Sequence, residues 1–198
     1  IDNTFTTVTW FNPSYKSVES ISIQSDGKIL VGGSFTDFNG QSHNRLVRLY
    51  PNGGTDSAFN IGTGFNDNVE EIILQSDGKI VVGGWFTNYN GQSIKCLIRL
   101  NIDGSIDNTF NIGLGFEYGV VYTISQYNGL LYVGGGFKTY NAINSSNLIV
   151  LNIDNNLSIL GSSSINKINI YPNPASNQIN INFNNITDLT GGNIKIIN

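Results

Sequence analysis

Methionine is absent from the 198 residues, and cysteine and histidine occur once each. Without methionine the chain is not expected to contain its own translational start, so any targeting peptide would lie upstream. Cys96 alone cannot close an internal disulfide, and Cys96 with His43 gives no ligand set for zinc, which excludes a disulfide scaffold and a zinc module. Charge is scarce as well. Asp, Glu, Lys and Arg make up 12% of the chain, about half of the ~25% of an average domain. A net charge of −4 and a pI near 4.8 leave no basic footprint for nucleic acid or an anionic membrane surface. No apolar run approaches the ~18 residues of a spanning helix, so membrane insertion is not expected. No cofactor or metal is expected either. What the chain has instead is 30 Asn, 23 Gly and a 39% apolar share. That composition predicts a globular chain whose surface is solvated by amides and hydroxyls.

Self-comparison exposes a repeat. Ser25-Asp26-Gly27-Lys28-Ile29-Leu30-Val31-Gly32-Gly33-Ser34-Phe35 returns 51 residues later as Ser76-Asp77-Gly78-Lys79-Ile80-Val81-Val82-Gly83-Gly84-Trp85-Phe86. A weaker third copy, Tyr127-Asn128-Gly129-Leu130-Leu131-Tyr132-Val133-Gly134-Gly135-Gly136-Phe137, follows at the same offset. Residues 18–65 and 69–116 share 29 identities over 48 ungapped positions, so chance periodicity is excluded. Ile1-Asp2-Asn3-Thr4-Phe5 repeats Ile106-Asp107-Asn108-Thr109-Phe110, the remnant of an earlier copy.

Within a unit, Val18 to Gln24 reads as a strand, Asp26-Gly27 as a type I′ hairpin turn and Lys28 to Gly33 as the returning strand. Thr36 to Asn44 reads as a loop turning at Asn39-Gly40. Arg45 to Tyr50 is a third strand, and Asp56 to Phe59 a short fourth. No segment carries a 3.6-residue period, so helix should be scarce. Three or four antiparallel strands in about fifty residues is a propeller-blade period, close to the kelch class and longer than the WD class. The paired glycines mark strand positions where another backbone approaches closely. The fold class expected is all-β: three blades of ~51 residues forming an incomplete ring, because closed rings need about four to eight. Copies span about 18–68, 69–119 and 120–154, after a remnant over 1–17.

The Ser-Asp-Gly-Lys-Ile-x-Val-Gly-Gly-x-Phe core, with Asn-Gly-Gln-Ser, Leu-x-Arg-Leu and Asp-x-x-Phe-Asn after it, resembles the delta-60 repeat, a β-propeller-type repeat of bacterial surface and secreted proteins. The third copy departs from it at Tyr127-Asn128, at Asn141-Ala142 and at Val150, as suits a terminal, capping unit.

Residues 155–166, with Gly161-Ser162-Ser163-Ser164, read as a linker. Residues 167–198 then alternate Ile with Asn, around Ile168 and Ile170, Ile179, Ile181 and Phe183, and Ile194 and Ile196, which predicts half-buried strands of a partial β-sandwich-like tail. Lys167-Ile168-Asn169-Ile170-Tyr171-Pro172-Asn173-Pro174-Ala175 resembles the opening of a type IX secretion C-terminal sorting domain, with Tyr171, Pro172, Asn173 and Pro174 as the sorting motif. That resemblance implies export across the outer membrane of a bacterium of the Bacteroidota type. It also implies the type IX machinery as a partner, and a secreted or cell-surface location. A sorting domain is a receptor-read signal, with no catalytic role.

The residues offer little to catalysis. His43 aligns with Ile94 and Asn144, and Cys96 with Arg45 and Asn147, so both read as local variation. Glu70 and Glu71 are adjacent on a strand, point to opposite faces and cannot flank a sugar as acid and base. Asn101, Asp103, Ser105 and Asp107 space oxygens like a calcium loop, but Ile112 stands where an EF-hand needs its closing Glu. Phe35, Phe86 and Phe137 recur as core. Phe38, Tyr89 and Tyr140 recur next to them, as core rim or as exposed platform. Trp85 replaces Ser34 and Gly136, and Trp10-Phe11 lie in a three-residue expansion of the first unit. Unshared aromatics on a shared scaffold are where specificity is expected, so Trp10, Phe11, Trp85, Tyr89 and Tyr140 are the candidate ligand contacts. The function expected is a non-catalytic binding or structural module for an extracellular protein or glycan. The alternative is an accessory or partial-propeller region of an extracellular polysaccharide-degrading enzyme.

Overall fold

A computed structural model describes Phe5, residues 17–117, 119–145 and 147–153, and the strand backbone at 158–159, 168–171 and 180–183. Apart from Ser158–Ile159, the residues expected to form a linker lie outside the described residues, as do Pro172, Asn173 and Pro174 of the expected sorting motif and Trp10 and Phe11. The described residues contain strands and turns with no helix. By contact the chain divides into two compact units, Ile1–Ser158 and Ile159–Asn198.

The first unit holds one main antiparallel sheet and one small hairpin sheet per repeat. Blade 1 orders β1 (Val18–Ile23), β2 (Ile29–Gly33) and, beyond a small hairpin of β3 (Asp37–Phe38) and β4 (Gln41–Ser42), β5 (Leu46–Leu49). Blade 2 repeats this with β6 (Val69–Leu74), β7 (Ile80–Gly84), the hairpin of β8 (Asn88–Tyr89) and β9 (Gln92–Ser93), and β10 (Leu97–Leu100). In blade 3 a two-residue β11 (Phe116–Glu117) joins the hairpin. The main sheet runs β12 (Val121–Tyr127), β13 (Leu130–Gly135) and β16 (Leu148–Asn152), and the hairpin is β14 (Thr139–Tyr140) with β15 (Ile143–Asn144). A two-residue β17 (Ser158–Ile159) borders that sheet. In the second unit, β18 (Ile168–Tyr171) and β19 (Asn180–Phe183) pair antiparallel, setting Ile168 opposite Phe183 and Ile170 opposite Ile181.

Three sequence expectations are corrected. Asp56–Phe59 is a turn, with only an isolated bridge between Leu49 and Thr55 before it. The Asp56 carboxylate accepts the Ala58 N–H at 3.0 Å and holds this stretch in a local turn that competes with strand pairing. Thr36–Asn44 holds a hairpin where a loop was expected, turned by Asn39 and Gly40 at φ 56° and 73°.

The first turn also differs between copies. In blade 1 Gly27 has φ +83° while Asp26 stays at negative φ, and the Gly27 N–H bonds Gln24 O, which is a three-residue turn rather than type I′. Blade 2 does the same at Gly78. Only blade 3 makes the two-residue turn, with Asn128 at φ 48° and Gly129 at 73° between the paired Tyr127 and Leu130.

That shorter turn compensates for an insertion. In blades 1 and 2, Val18 and Val69 face Gly33 and Gly84, but Gly135 pairs with Val121, 52 residues after Val69. The third copy therefore enters its first strand one residue late. Because strand side chains alternate, a one-residue slip would turn the apolar set outward. Removing one residue from the turn returns Leu131 and Val133 to register with Ile80 and Val82.

The blades meet through these strands and the glycines opposite them. A Cβ on Gly32 would stand 2.5 Å from Val69 Cγ1 and 2.8 Å from Ile72 Cδ1, and one on Gly83 would stand the same distances from Val121 Cγ1 and Ile124 Cδ1. Only glycine lets the next blade's first strand sit down. The junction between blades 1 and 2 buries Leu30, Leu46, Val69, Ile72, Ile80 and Val82 in one cluster. At about 1.5–3 kcal/mol per fully buried aliphatic side chain, this apolar junction dominates the holding of blade on blade.

A buried ionic closure stands beside it. Arg48 Nε bonds Asp56 at 2.9 Å, Arg99 Nε bonds Asp107 at 2.7 Å, and Lys28 and Lys79 reach the same carboxylates at 3.5 and 2.8 Å. The guanidinium groups lie over Phe59 and Phe110, 4.6 and 4.8 Å from the ring centroids. Burial raises the carboxyl pKa of Asp107, but bonds from Lys79, Thr109 and Arg99 outweigh it and hold the group far below the carboxylate range. Asp56 is likewise lowered, by Ala58 N–H, Tyr50 and Arg48 acting against burial.

Candidate ligand-binding surface

Residues 34, 85 and 136 follow the glycine pair in each copy, and their N–H groups bond back to the entry of the first strand: Ser34 to Ser17 O, Trp85 to Asn68 O and Gly136 to Val120 O. The first strands β1, β6 and β12 lie side by side across the blades. Facing these positions near the start of each first strand stand Glu19, Glu70 and, because of the register shift, Tyr122.

Trp85 is 44% exposed and Tyr122 50%, with ring centroids 6.0 Å apart in an edge-to-face arrangement at 70°. The Tyr122 ring lies against Gly136, whose Cβ position would stand in van der Waals contact, 3.4 Å from Tyr122 Cε2. Burial pushes the Glu70 carboxyl above its usual value, the charge of Glu19 pushes it further, and hydrogen bonds from the Trp85 and Asn68 side chains partly oppose both. Glu19 in turn accepts a hydrogen bond from the Ser17 hydroxyl. The surface thus offers two ring edges and faces together with carboxylate acceptors on a rigid strand platform. It suits a polyhydroxylated ligand: C–H faces can lie on the indole while hydroxyls donate to Glu70.

The structure divides the sequence candidates. Trp85 is exposed as expected. Tyr89 and Tyr140 are corrected: their side chains are buried, Tyr89 at 1%, and they cannot contact a ligand. Each packs on the phenylalanine that enters from the preceding connection, Phe65–Tyr89 at 4.4 Å and Phe116–Tyr140 at 4.9 Å. The Tyr89 hydroxyl donates to Gly104 O at 2.6 Å. Tyr122 was missed because an ungapped 51-residue offset sets Val121 against Glu70. The signal was present in Tyr118-Gly119, the extra length before the third copy's strand.

The other singled-out residues find structural roles. Cys96 occupies a left-handed position shared with Arg45 and Asn147, at φ 65°, 69° and 65°. Its thiol is buried, donates to Gly119 O at 3.1 Å and is pushed up to about 11 by burial, so it stays protonated. Asp103 Oδ1 accepts the Ser105 N–H and hydroxyl, and Asp107 is taken by Arg99 and Lys79, so these oxygens serve a turn and an ion pair. His43 lines an open polar cleft with Asn39, Gln41, Ser57 and Asn60 on blade 1, and burial lowers its pKa. The acid of that cleft, Asp56, is held by Arg48 and Lys28. Among the described residues no three His, Cys, Asp or Glu side chains gather as a metal site, and no helix is long and apolar enough to cross a membrane.

A family model described as a beta-propeller domain of unknown function (DUF5122) matches residues 24–59 and 75–110, which run from the first turn to the Asp-x-x-Phe closure in copies one and two. No curated protein matches the chain. The match and the sheet pattern together support a propeller-type repeat protein.

Proposed function

We propose that the chain is a non-catalytic, glycan-binding repeat module of a secreted or cell-surface protein, exported by type IX secretion through its C-terminal tail. The observation that carries the binding reading is the exposed Trp85–Tyr122 pair beside Glu70, built from residues the other copies lack at those positions. Shared positions build the blade, whereas these unshared ones face solvent on it.

Calorimetric titration with a panel of soluble plant and bacterial oligosaccharides tests the site. At least one sugar should bind, and Trp85→Ala should weaken it by about tenfold or more, on the scale of one lost aromatic contact of ~1.5 kcal/mol, with an unchanged circular dichroism spectrum. Tyr122→Ala should weaken it less. Sugar binding that is indifferent to both substitutions would defeat the reading. Because the Glu70 carboxyl pKa lies above the usual value, binding should weaken as pH falls through that raised range, and Glu70→Gln should remove this dependence.

The export reading rests on the Tyr171-Pro172-Asn173-Pro174 turn between alternating strands. A periplasmic reporter carrying the tail from residue 162 onward should leave the periplasm of a host with this secretion system. A reporter retained as it is without the tail would refute export.

A further inference from the structure

The surface around Trp85 carries negative charge with no cation to answer it. Burial raises the Glu70 carboxyl, and the charges of Glu19 and Asp67 add to the effect, so three acids act on one another at this level of the blades. The cations are held elsewhere. Lys28 and Arg48 are taken by Asp56, Lys79 and Arg99 by Asp107, and Lys95 lies 3.8 Å from Glu117. Among the described residues no Lys or Arg forms an ion pair with Glu19 or Glu70.

Blade 1 brings a cation to the equivalent place. Arg45 Nη1 donates to Ser34 O at 2.6 Å and to Phe35 O at 3.1 Å, so a guanidinium stands at the turn that Trp85 occupies in blade 2. The same left-handed position holds Cys96 in blade 2, whose buried thiol stays protonated and neutral. The second copy thus keeps the glutamate, exchanges a serine for an exposed indole and gives up the arginine.

The rings suit the missing charge. The Trp85 side chain donates to Glu70, which sets the carboxylate at the edge of the indole. Trp85 and Tyr122, 6.0 Å apart at 70°, bound a corner beside that carboxylate. A cation there lies within the ~6 Å over which a ring face attracts it. A bare metal ion is a poor occupant, because among the described residues no three His, Cys, Asp or Glu side chains gather to ligate one. An organic ammonium needs only a ring face and one carboxylate, to which its N–H groups make charge-assisted bonds.

We propose that the glycan this surface takes is cationic, an oligosaccharide of amino sugars with free, protonated amines, whose ammonium docks between the Glu70 carboxylate and the Trp85 and Tyr122 rings while a pyranose face lies on the indole. The inference rests on the glycan-binding reading of the same surface and narrows its ligand. A lysine side chain carries the same charge on a flexible stem with no flat face to match the indole, so the sugar is the occupant argued for.

Calorimetric titration of the full chain with three tetrasaccharides of one β-1,4-linked glucose-type backbone tests the proposal: cellotetraose, N-acetylated chitotetraose and its deacetylated, free-amine form. At about pH 6 the amine holds its proton and an ordinary carboxylate has lost its own. The free-amine sugar should bind about tenfold or more tighter than the other two. Glu70→Gln should remove that advantage with an unchanged circular dichroism spectrum, and raised salt should shrink it. Trp85→Ala should weaken all three sugars. Equal binding of the three, still dependent on Trp85, overturns the cationic assignment and leaves the glycan reading standing, whereas no binding by any of them overturns both. An advantage that survives Glu70→Gln overturns the docking, and a tetralysine peptide that binds as tightly as the free-amine sugar overturns the choice of a sugar.

Discussion

Blades 1 and 2 are closed by ions, and the third copy lacks in its sequence the residues that make this closure. In the first two, a lysine, an arginine and an aspartate from three separate stretches meet under a phenylalanine ring. In the third, the counterparts of Lys79, Arg99 and Asp107 are Leu130, Val150 and Ser158, and Gly161 replaces the phenylalanine. The members disappear together. A buried ion pair missing one partner leaves a charge without compensation, whereas its wholesale replacement by apolar groups costs little. The network is therefore a unit that a repeat keeps or discards entire, and a terminal blade can discard it.

The sharpest way to break this contrast is to convert blade 2 halfway. Arg99→Val should destabilise the repeat unit by about 3–5 kcal/mol, because the buried Asp107 loses its guanidinium and keeps only Lys79 and Thr109 as partners. Changing Lys79→Leu, Arg99→Val and Asp107→Ser together, the third copy's set, should recover most of that loss. Urea unfolding at constant slope measures both. The same network sets the acid response. The Asp56 and Asp107 pKa values are depressed in the fold, so their stabilisation is present above the ordinary aspartate pKa and drains away as pH falls below it towards the folded values. Thermal melts should show a decline below about pH 4, and Asp107→Asn should be less stable near neutrality but flatter in acid.

The next contrast lies at the glycines. Gly83→Ala forces a Cβ to within 2.5 Å of Val121 Cγ1 and should cost about 1–3 kcal/mol by overpacking the junction. Gly134→Ala should cost less, since only Thr123 of its own sheet must give way. The smallest effect concerns the hairpin turn. Ala142 holds φ 62° where the other copies have Gly40 and Gly91, so Ala142→Gly should stabilise blade 3 by about 0.5–1 kcal/mol, read as a raised melting temperature.

The repeat made the blade legible in advance. Strands around Ile29–Gly33, Leu46–Leu49 and their copies fall where the repeat and its turn residues place them, and Phe35, Phe86 and Phe137 are core. The paired glycines announced a close approach: Gly32 and Gly83 prove to meet the next blade's first strand, and Gly33, Gly84 and Gly135 the backbone that enters their own. Two features escaped. Asp56 satisfies its own turn, a local hydrogen bond that strand propensity does not register. The register of the third copy depends on two changes that cancel, an insertion before Val121 and a deletion at Asn128-Gly129, so a constant 51-residue offset between the glycine pairs hides both. Tyr122 was lost with them. Tyr89 and Tyr140 could be read as platform or rim because the sequence does not reveal that Phe65 and Phe116 cover them.

Hydroxyl-radical footprinting with residue-level mass spectrometry tests the surface most directly, because it reads aromatic exposure in the folded chain without a ligand in hand. Trp85 and Tyr122 should oxidise rapidly, and Tyr89 and Tyr140 should be protected until the repeat unit unfolds. Protection of Tyr122 with rapid oxidation of Tyr89 or Tyr140 would contradict both the shifted register of the third blade and the site built on it.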